Sequence, residues 1–336
     1  MSEAVAGTMV QPVRRRWRLD ARYVPLAITI SLFVAMAIAG SMLYRGFFAP
    51  QVFLNLLIDN GFLCVVAVGM TFVILTGGID LSVGAVVALS TMLLASLVQA
   101  GTTPLVAVPL VLATGCAFGL LHGVLIQRFR LQPFIVTLGG MFLARGLSYL
   151  ISTESISITH PAFRAMASAR IPLGFGSLST GAVIAVVVVA AGIWLANATN
   201  FGRTVYAVGG DESSARLMGL RVDRTVVGVY LLSGFCAALG GILMTLYMLS
   251  GYSLHGLGLE LDAIAAVVIG GTLLRGGIGF VTGTFFGVLI LGIIQTLIAF
   301  DGTLSSWWTR IVVGALLLVF CLLQRVLERR SATGKG

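Results

Sequence analysis

The chain has 336 residues, of which 58% are hydrophobic and only 10% are charged, and its mean hydropathy is +1.05. Soluble domains carry about 25% charged residues, so an ordinary soluble enzyme is excluded. The composition predicts an all-α, polytopic membrane protein. The formal net charge of +9 does not indicate nucleic-acid binding, because basic clusters at 14–22 and 325–335 flank the apolar region. Such clusters are typical of the cytoplasmic flanks of membrane spans.

Apolar runs long enough to cross a bilayer, about 20 residues each, recur between residues 23 and 325. We therefore expect one transmembrane domain at 23–325, between basic cytoplasmic tails at 1–22 and 326–336. The runs predict about ten transmembrane helices, the eighth being the shortest, near residues 23–44, 53–76, 81–99, 104–127, 133–151, 177–196, 225–248, 261–274, 277–299 and 308–324.

The distribution of arginine predicts the orientation of these helices. Cytoplasmic loops of membrane proteins are enriched in Lys and Arg. With both termini in the cytoplasm, 16 of the 21 basic residues fall on that side, in segments 1–22, 127–132, 197–224, 273–277 and 325–336. Two cytoplasmic termini require an even number of spans, which agrees with ten.

The stretch TFVILTGGIDLSVGAVVAL, residues 71–89, interrupts an apolar run with Gly77, Gly78 and Asp80. A carboxylate within a membrane span costs roughly 2.5–3.5 kcal/mol on insertion scales, so such residues usually have a function. Two glycines beside it indicate a broken helix, which transporters place along a substrate pathway. A short polar turn at the membrane surface is the alternative interpretation.

A weak internal repeat relates the two halves of the chain. GIDLSVGAVVALS aligns with GLELDAIAAVVIG, so that Asp80 lies opposite Glu260, and TGCAFGLLHGVLIQ aligns in the same order with TGTFFGVLILGIIQ. The halves, about 53–151 and 225–324, begin five predicted spans apart. An odd separation predicts an inverted repeat, an architecture known from transporters.

The segment NFGRTVYAVGGDESSARLMGLRVDRT, residues 200–225, separates the sixth and seventh predicted spans. Asp211 or Ser213 can cap a short helix that runs to Leu217, and Gly219 can end it. Leu217 and Met218 would give this helix an apolar tip. The tip suits a partner's groove, and a helix lying on lipid headgroups is the alternative.

No energy source is encoded in the chain. ATP binding through a Walker A loop requires a lysine after its glycines, and the only lysine is Lys335, so an ATPase would have to be a separate subunit. An ion-coupled secondary transporter is the alternative. The four cysteines and three histidines have no metal-ligand spacing, and we expect no bound metal.

Four motifs resemble the membrane permease subunit of bacterial ATP-binding-cassette importers for simple sugars, the ribose, xylose and galactofuranose group. The resemblance covers residues 23–325. Two segments, TESISITHP and FDGTLSSWW, are most similar to the galactofuranose permeases. The motifs that carry the family resemblance are GMTFVILTGGIDLSVGAVVAL (69–89), FGRTVYAVGGDESSARLMGL (201–220), LDAIAAVVIGGTLLRGGIG (261–279) and FDGTLSSWWTRIVVG (300–314).

The resemblance implies a non-enzymatic subunit of the bacterial inner membrane and a defined set of partners. These are a separate ATPase subunit that binds ATP and Mg²⁺, a periplasmic sugar-binding protein, and a second copy of the permease or a related subunit. No cofactor is expected on this chain. The resemblance also assigns the docking of the ATPase to a coupling helix region, Gly209, Gly210, Asp211, Glu212, Arg216, Leu217, Met218 and Gly219.

The translocation path or its gates are predicted at the two breaks, at Gly77, Gly78, Asp80, Ser82, Glu260 and Asp262. Hydroxyl and carboxylate groups can hydrogen-bond to sugar hydroxyls. The competing interpretation is structural, with these residues capping broken helices and pairing with Arg145 or Arg275. Trp307 and Trp308 could stack on a sugar, but tryptophans at span ends are commonly interfacial anchors.

Overall fold

The computed structural model describes residues 23–305 and 307–333, with side chains as far as residue 323. The predicted N-terminal tail, 1–22, lies outside the described residues, as do 306 and 334–336. Five helices open with proline in their first turn, at Pro25, Pro50, Pro104, Pro133 and Pro161. Proline is favoured there because its missing N–H would have no helical partner.

The described residues form thirteen helices, in this order: α1 (Val24–Leu43), α2 (Pro50–Leu75), α3 (Val83–Gln99), α4 (Pro104–Phe129), α5 (Pro133–Ile151), α6 (Pro161–Ser168), α7 (Thr180–Ala198), α8 (Asn200–Gly210), α9 (Glu212–Leu217), α10 (Val222–Met248), α11 (Leu259–Ile269), α12 (Val281–Asp301) and α13 (Trp307–Thr333). Four short strands complete the fold: β1 (Ile156–Ser157), β2 (Arg170–Pro172), β3 (Ser177–Ser179) and β4 (Ser250–Gly251).

Seven of these helices are long and apolar enough to cross a membrane, namely α1, α2, α4, α5, α7, α10 and α12. The chain is thus a largely helical, polytopic membrane protein. Helices also occupy the other three predicted spans, but α3 and the apolar part of α13 are shorter. The eleven residues of α11 extend about 16 Å, roughly half of a bilayer core of about 30 Å. Ten complete crossings therefore stay a prediction.

The bundle has two distinct ends. At the α9 end, which carries α8 and α9, Tyr23 before α1 stacks on Phe280 before α12. At the strand end, which carries β1 to β4, Tyr44 after α1 donates a 3.1 Å hydrogen bond to Asp301 at the end of α12. The α1 and α12 helices therefore run in the same direction, from the α9 end to the strand end.

The core is formed by α2 and α10, whose side chains are the most buried of the long helices. The α10 helix packs against α2, α3 and α4. Close approach rests on small residues, because a Cβ on Gly119 would lie 2.2 Å from the Tyr230 carbonyl oxygen, and one on Gly234 would lie 2.2 Å from the Gly115 carbonyl oxygen. Such contacts are how helices associate in lipid, where apolar surfaces gain little from burial.

The segment 152–175, predicted as an outer loop, contains short regular structure. β1 pairs with β4 and β2 pairs with β3, both antiparallel. The α6 helix is capped by His160, whose Nδ1 accepts a 3.2 Å hydrogen bond from the Ala162 N–H. These elements are only two to eight residues long, too short to leave a periodic pattern in the sequence.

Candidate functional site

The first predicted break exists. The α2 helix ends at Leu75 and α3 begins at Val83, and the seven residues between them are not helical. Gly77 has a φ of +81°, a left-handed conformation that glycine adopts without strain. A Cβ on Gly78 would lie 2.5 Å from the Tyr230 hydroxyl. Both glycines are therefore required by the local geometry of the break.

Asp80 lies at the centre of a buried hydroxyl cluster. Its Oδ1 accepts hydrogen bonds from the Ser82 N–H at 3.0 Å and the Ser82 hydroxyl at 2.6 Å. Its Oδ2 accepts from the Ser233 hydroxyl at 2.7 Å. Only 1% of Asp80 is exposed. Ser233 is the twelfth of 27 residues in α10, so the carboxylate sits near the middle of that helix.

His122 adjoins this cluster from α4. Its Nδ1 lies 3.5 Å from the Ser82 hydroxyl, and its Nε2 is buried without a hydrogen-bond partner among the described residues. The ring packs onto α5 at Gly140, where a Cβ would lie 2.0 Å from Nε2. A buried, incompletely paired imidazole beside a carboxylate is a plausible functional group. No local pattern predicts this role, because His122 lies within an apolar run.

The second predicted break precedes α11, and it touches the first. A Cβ on Gly84, in the first turn of α3, would lie 2.1 Å from the Glu260 Oε2 and 2.6 Å from the Gly256 carbonyl oxygen. The two short helices α3 and α11 therefore begin against each other, with the Glu260 carboxylate between them. Asp262 is half-buried and faces elsewhere, into a cavity between α11, α12 and α13.

The six predicted path residues thus occupy separate places. Asp80 and Ser82 lie among α3, α4 and α10, Glu260 lies between α3 and α11, and Asp262 faces α13. Neither of two ion pairs among the described residues involves these carboxylates. Arg145 donates instead to the backbone carbonyls of Ser253 and His255.

The predicted short helix after the sixth span is α9, and its cap is Asp211. The Asp211 Oδ1 accepts a 2.6 Å hydrogen bond from the Ser214 N–H, and this bond holds the pKa of the carboxyl below its ordinary value. Gly219 has a φ of +76° and ends the turn after α9. The Leu217 and Met218 side chains are 89% and 66% exposed. The helix with an exposed apolar tip is confirmed.

Arg216 fixes the other face of α9. Its Nη2 lies 2.9 Å from the Glu212 carboxylate, one helical turn away, and 2.7 Å from the Asp223 carboxylate at the start of α10. Gln127 at the end of α4 also hydrogen-bonds to Asp223. Exposed ion pairs contribute little to stability individually, but this group ties α9 to both α4 and α10.

Gly209 and Gly210, predicted as part of the coupling helix, belong instead to the last turn of α8. The chain turns at Asp211 before α9 begins. The α8 helix was not predicted, since three glycines and a mixed polar sequence obscure its periodicity. The region 209–219 is therefore two helices joined at a corner, rather than one helix.

Four glycines bring α8, the first break and the loop after α11 together at the α9 end. A Cβ on Gly209 would lie 1.8 Å from the Leu75 carbonyl oxygen and 2.4 Å from the Gly277 nitrogen. The Gly277 N–H donates a 2.9 Å hydrogen bond to the same Leu75 carbonyl. A Cβ on Gly276 would lie 2.7 Å from the Gly77 nitrogen. We call Gly77, Gly209, Gly276 and Gly277 the glycine junction.

A cavity of about 600 Å³ opens beside this junction. Gly77 and Gly78 of the first break line it, together with Glu212 and Arg216 of α9 and Tyr230 of α10. A displacement of α9 would therefore change a space bounded directly by the first break. Among the described residues, no group of three His, Cys, Asp or Glu side chains could hold a metal ion.

The fold and these sites define a class, that of multi-pass membrane transport proteins with paired short helices at the centre of the bundle. Residues 52–321 match the family described as the permease component of the branched-chain amino acid transport system, and the chain belongs to that permease family. The predicted family resemblance is confirmed. The family is one of transport components, and the chain is a multi-pass inner membrane protein rather than an enzyme.

Curated relatives cover almost the whole chain. It is 52% identical over 307 residues to the inner membrane ABC transporter permease protein YjfF of Escherichia coli (strain K12), covering 90% of this chain and 92% of that protein. It is 40% identical over 333 residues to the fructose import permease protein FruG of Bifidobacterium longum (strain NCC 2705), covering 97% of each. It is 38% identical over 321 residues to the ribose import permease protein RbsC of Bacillus subtilis (strain 168), covering 94% of this chain and 97% of that protein.

No solved structure matches the chain. The description of the family names amino acids, whereas two of these relatives are named for sugars. The chain is accordingly a permease component of the ABC sugar-importer family.

Proposed function

We propose that this chain is the permease of an ATP-driven importer for a simple sugar and that a separate ATPase subunit docks on α9. The observation that carries the proposal is the exposed tip of α9, Leu217 and Met218, on a helix braced by Arg216. An exposed apolar tip on such a helix suits insertion into a partner's groove. ATP and Mg²⁺ bind to the ATPase, and this chain binds no cofactor.

The α9 end is the cytoplasmic end in this proposal. Seven of the arginines with described side chains lie in segments at that end, at 128, 130, 203, 216, 221, 224 and 275, against Arg45, Arg164 and Arg170 at the strand end. This bias is the positive-inside pattern. The α3 and α11 helices begin beside each other, and each belongs to a different half of the proposed repeat. Two short helices that start at the same depth and run away from each other are what an inverted repeat requires.

The glycine junction supplies the mechanical connection. When the ATPase closes on ATP, it displaces α9 and the attached α8. Gly209 at the end of α8 contacts Leu75 and lies beside Gly277, so that displacement reaches the first break and the loop after α11 together. Because glycine has no side chain, the backbones touch directly at these positions. A movement of one segment is therefore passed directly to the other.

The strand end receives the periplasmic sugar-binding protein. Arg164 and Arg170 are exposed there, and with Ser179 and Tyr247 they line a cavity of about 290 Å³. Charged residues on such a surface can steer and orient an oppositely charged partner. The second permease in the importer is another copy of this chain or a related subunit.

The sugar is a pentose or a hexose. Relatives named for ribose and fructose support this class, and the likeness of TESISITHP and FDGTLSSWW to galactofuranose permeases favours galactofuranose within it. The polar groups at the breaks are hydroxyl, carboxylate and imidazole groups, which suit a neutral polyhydroxylated solute.

The test is uptake of labelled ribose, fructose and galactose by proteoliposomes that contain this chain, its candidate ATPase and a binding protein. We expect uptake that requires ATP and persists when a protonophore collapses ion gradients. Uptake by the chain without the ATPase, driven by an ion gradient, would establish the ion-coupled secondary transporter instead.

A further inference from the structure

A second cavity of about 600 Å³ lies between α11, α12 and α13, away from the glycine junction. Gly302, Leu304 and Trp307 surround it at the strand end, and Asp262 and Leu291 line it deeper in the bundle. Leu291 lies ten residues before the end of α12. At 1.5 Å per residue, the cavity extends about 15 Å into the bundle.

The polar groups in this cavity remain available to a ligand. Among the described residues, the side chains of Asp262, Gln295 and Arg310 form no hydrogen bond to another residue. Asp262 and Arg310 form no close ion pair, although their opposite charges attract each other across the cavity. The Arg310 guanidinium lies over Gly258, where a Cβ would be 2.7 Å from its Nη1. Gly258 thus leaves room for the guanidinium in this position.

Lipid is an unsuitable neighbour for this set of groups. A carboxylate or guanidinium exposed to the bilayer centre is unfavourable by roughly 2.5–3.5 kcal/mol on insertion scales. Charged residues within spans therefore face water-filled cavities or other protein. We therefore interpret the cavity between α11 and α13 as a water-accessible space, with its opening beside Gly302, Leu304 and Trp307 at the strand end.

We propose that this cavity is a binding site for a single sugar ring, with Asp262, Gln295, Arg310 and Trp307 as its contacts. The inference rests on the proposed function of sugar import. Its volume falls in the range of about 300–1,000 Å³ typical of small-molecule sites. Asp262 accepts hydrogen bonds from hydroxyls, Arg310 donates to ring and hydroxyl oxygens, and Gln295 does both.

Trp307 provides the apolar wall of the site. It is 74% exposed and lines the opening, one helical turn from Arg310. An indole face can cover the C–H face of a sugar ring while the polar groups hold its hydroxyls. This placement assigns Trp307 to the site, whereas Trp308 does not line the cavity and keeps the role of an interfacial anchor.

The first experiment compares sugar import with ATP hydrolysis in the reconstituted importer, with ribose, fructose and galactose as probes. The variants are Asp262→Asn and Gln295→Leu, and the control is Gln99→Leu, an exposed glutamine at the end of α3. For both site variants we expect the number of sugars imported per ATP to fall about tenfold, since each loses a hydrogen-bonding group. ATPase stimulation by the loaded binding protein should stay within twofold, because docking is unaffected.

The second experiment measures access to the cavity. In a variant without the four native cysteines, Gln295→Cys should react with a charged, water-soluble thiol reagent from the strand end, and the imported sugar should slow that reaction. Gln99→Cys should react without protection. If Asp262→Asn does not assemble, the import ratio of Gln295→Leu and the labelling of Gln295→Cys still test the site.

Wild-type import with an unchanged sugar-to-ATP ratio in Gln295→Leu, or Gln295→Cys labelling that sugar does not slow, would overturn this site. A different outcome would contradict the proposed function itself: a wild-type importer that transports none of the three sugars when ATP is supplied.

Discussion

Asp80 shows how a single buried carboxylate can be held within a membrane bundle. Ser82 and Ser233 supply three donors to its two oxygens, so the charge is stabilised by hydroxyl and amide dipoles rather than by a cation. Each of these hydrogen bonds is weaker than a buried ion pair. The cluster keeps a single negative charge, on Asp80. The arrangement fits both a structural cap and a group on a sugar pathway.

Ser233→Ala should destabilise the protein by about 1.5–3 kcal/mol, because it removes a hydrogen bond to a buried charged group. Thermal unfolding in detergent measures the effect, with loss of the monodisperse peak in size-exclusion chromatography as the signal. Thr114→Ala is the matched control, since the Thr114 hydroxyl bonds only to its own helix at an exposed position. An equal loss of stability in the two variants would contradict the role of Ser233.

Asp80→Asn separates the two roles of this carboxylate. The asparagine side chain has one acceptor oxygen instead of two, and its NH2 group would face a serine hydroxyl that now donates to Asp80. We therefore expect sugar import to fall even where the protein still assembles. Import and ATPase coupling at wild-type levels, in a normally folded variant, would remove Asp80 from the transport mechanism.

At the residue scale, the sequence predicts positions but not partners. Gly77, Gly78 and Asp80 stand out because they interrupt an apolar run, and the break is where they indicate. The Ser233 hydroxyl is 153 residues from Asp80, and His122 lies in an ordinary apolar helix. Nothing in local sequence shows which serine or histidine the fold brings to the carboxylate.

At the scale of elements, α8 and α9 form a corner rather than one coupling helix. Capping chemistry predicted α9 correctly, since Asp211, Leu217 and Gly219 act through local backbone rules. The contact of Gly209 with Leu75 could not be predicted, because glycine at a helix end is equally consistent with a simple terminator.

Gly209→Ala should disrupt the glycine junction, whereas Gly210→Ala should not. A Cβ on Gly209 would lie 1.8 Å from a carbonyl oxygen, while nothing lies within 4 Å of a Cβ on Gly210. Overpacking of this kind typically costs about 1–3 kcal/mol. We expect Gly209→Ala to abolish stimulation of the ATPase by loaded binding protein while the ATPase stays bound. Equal stimulation in the two variants would rule out the junction as the connection.

The Asp211 cap predicts a pH dependence of α9. The pKa of Asp211 is below its ordinary value of 3.8 because its carboxylate accepts from Ser214. Its contribution to α9 is therefore complete at neutral pH and is lost as the pH falls through the lowered pKa. Hydrogen exchange of amides 213–217, corrected for intrinsic rates, should rise at acidic pH.

The same exchange should already be raised at pH 7 in Asp211→Ala. Asp211→Asn is the matched variant, because its side-chain oxygen still caps the helix, and it should remain close to wild type and lose the acidic transition. Identical exchange in all three proteins would mean that Asp211 does not cap α9 in solution.

At the scale of the whole molecule, composition and apolar runs predicted the polytopic helical bundle, and helices lie at all ten predicted positions. The short α11 was harder to place. Its apolar run continues into 270–274 in the sequence, whereas the helix ends at Ile269 and Gly271 adopts a φ of +88°. Hydropathy reports burial in an apolar medium and does not distinguish a helix from a buried irregular segment.

The proposed orientation is tested by labelling in intact cells. Glu154→Cys, after α5 at the strand end, should react with a membrane-impermeant maleimide, and Glu212→Cys in α9 should react only after the cells are opened. Both residues are exposed acidic positions. The reverse pattern would place α9 outside, where no ATPase could reach it.

The central claim is that an ATPase drives this permease through α9. The most direct measurement is ATPase activity of the reconstituted importer, with and without sugar-loaded binding protein, for wild type, Leu217→Asp together with Met218→Asp, and the control Leu217→Met together with Met218→Leu. The control keeps the exposed tip of α9 apolar. We predict stimulation in wild type and control, and its loss when both residues are replaced by Asp. Unchanged stimulation in that variant would contradict the account.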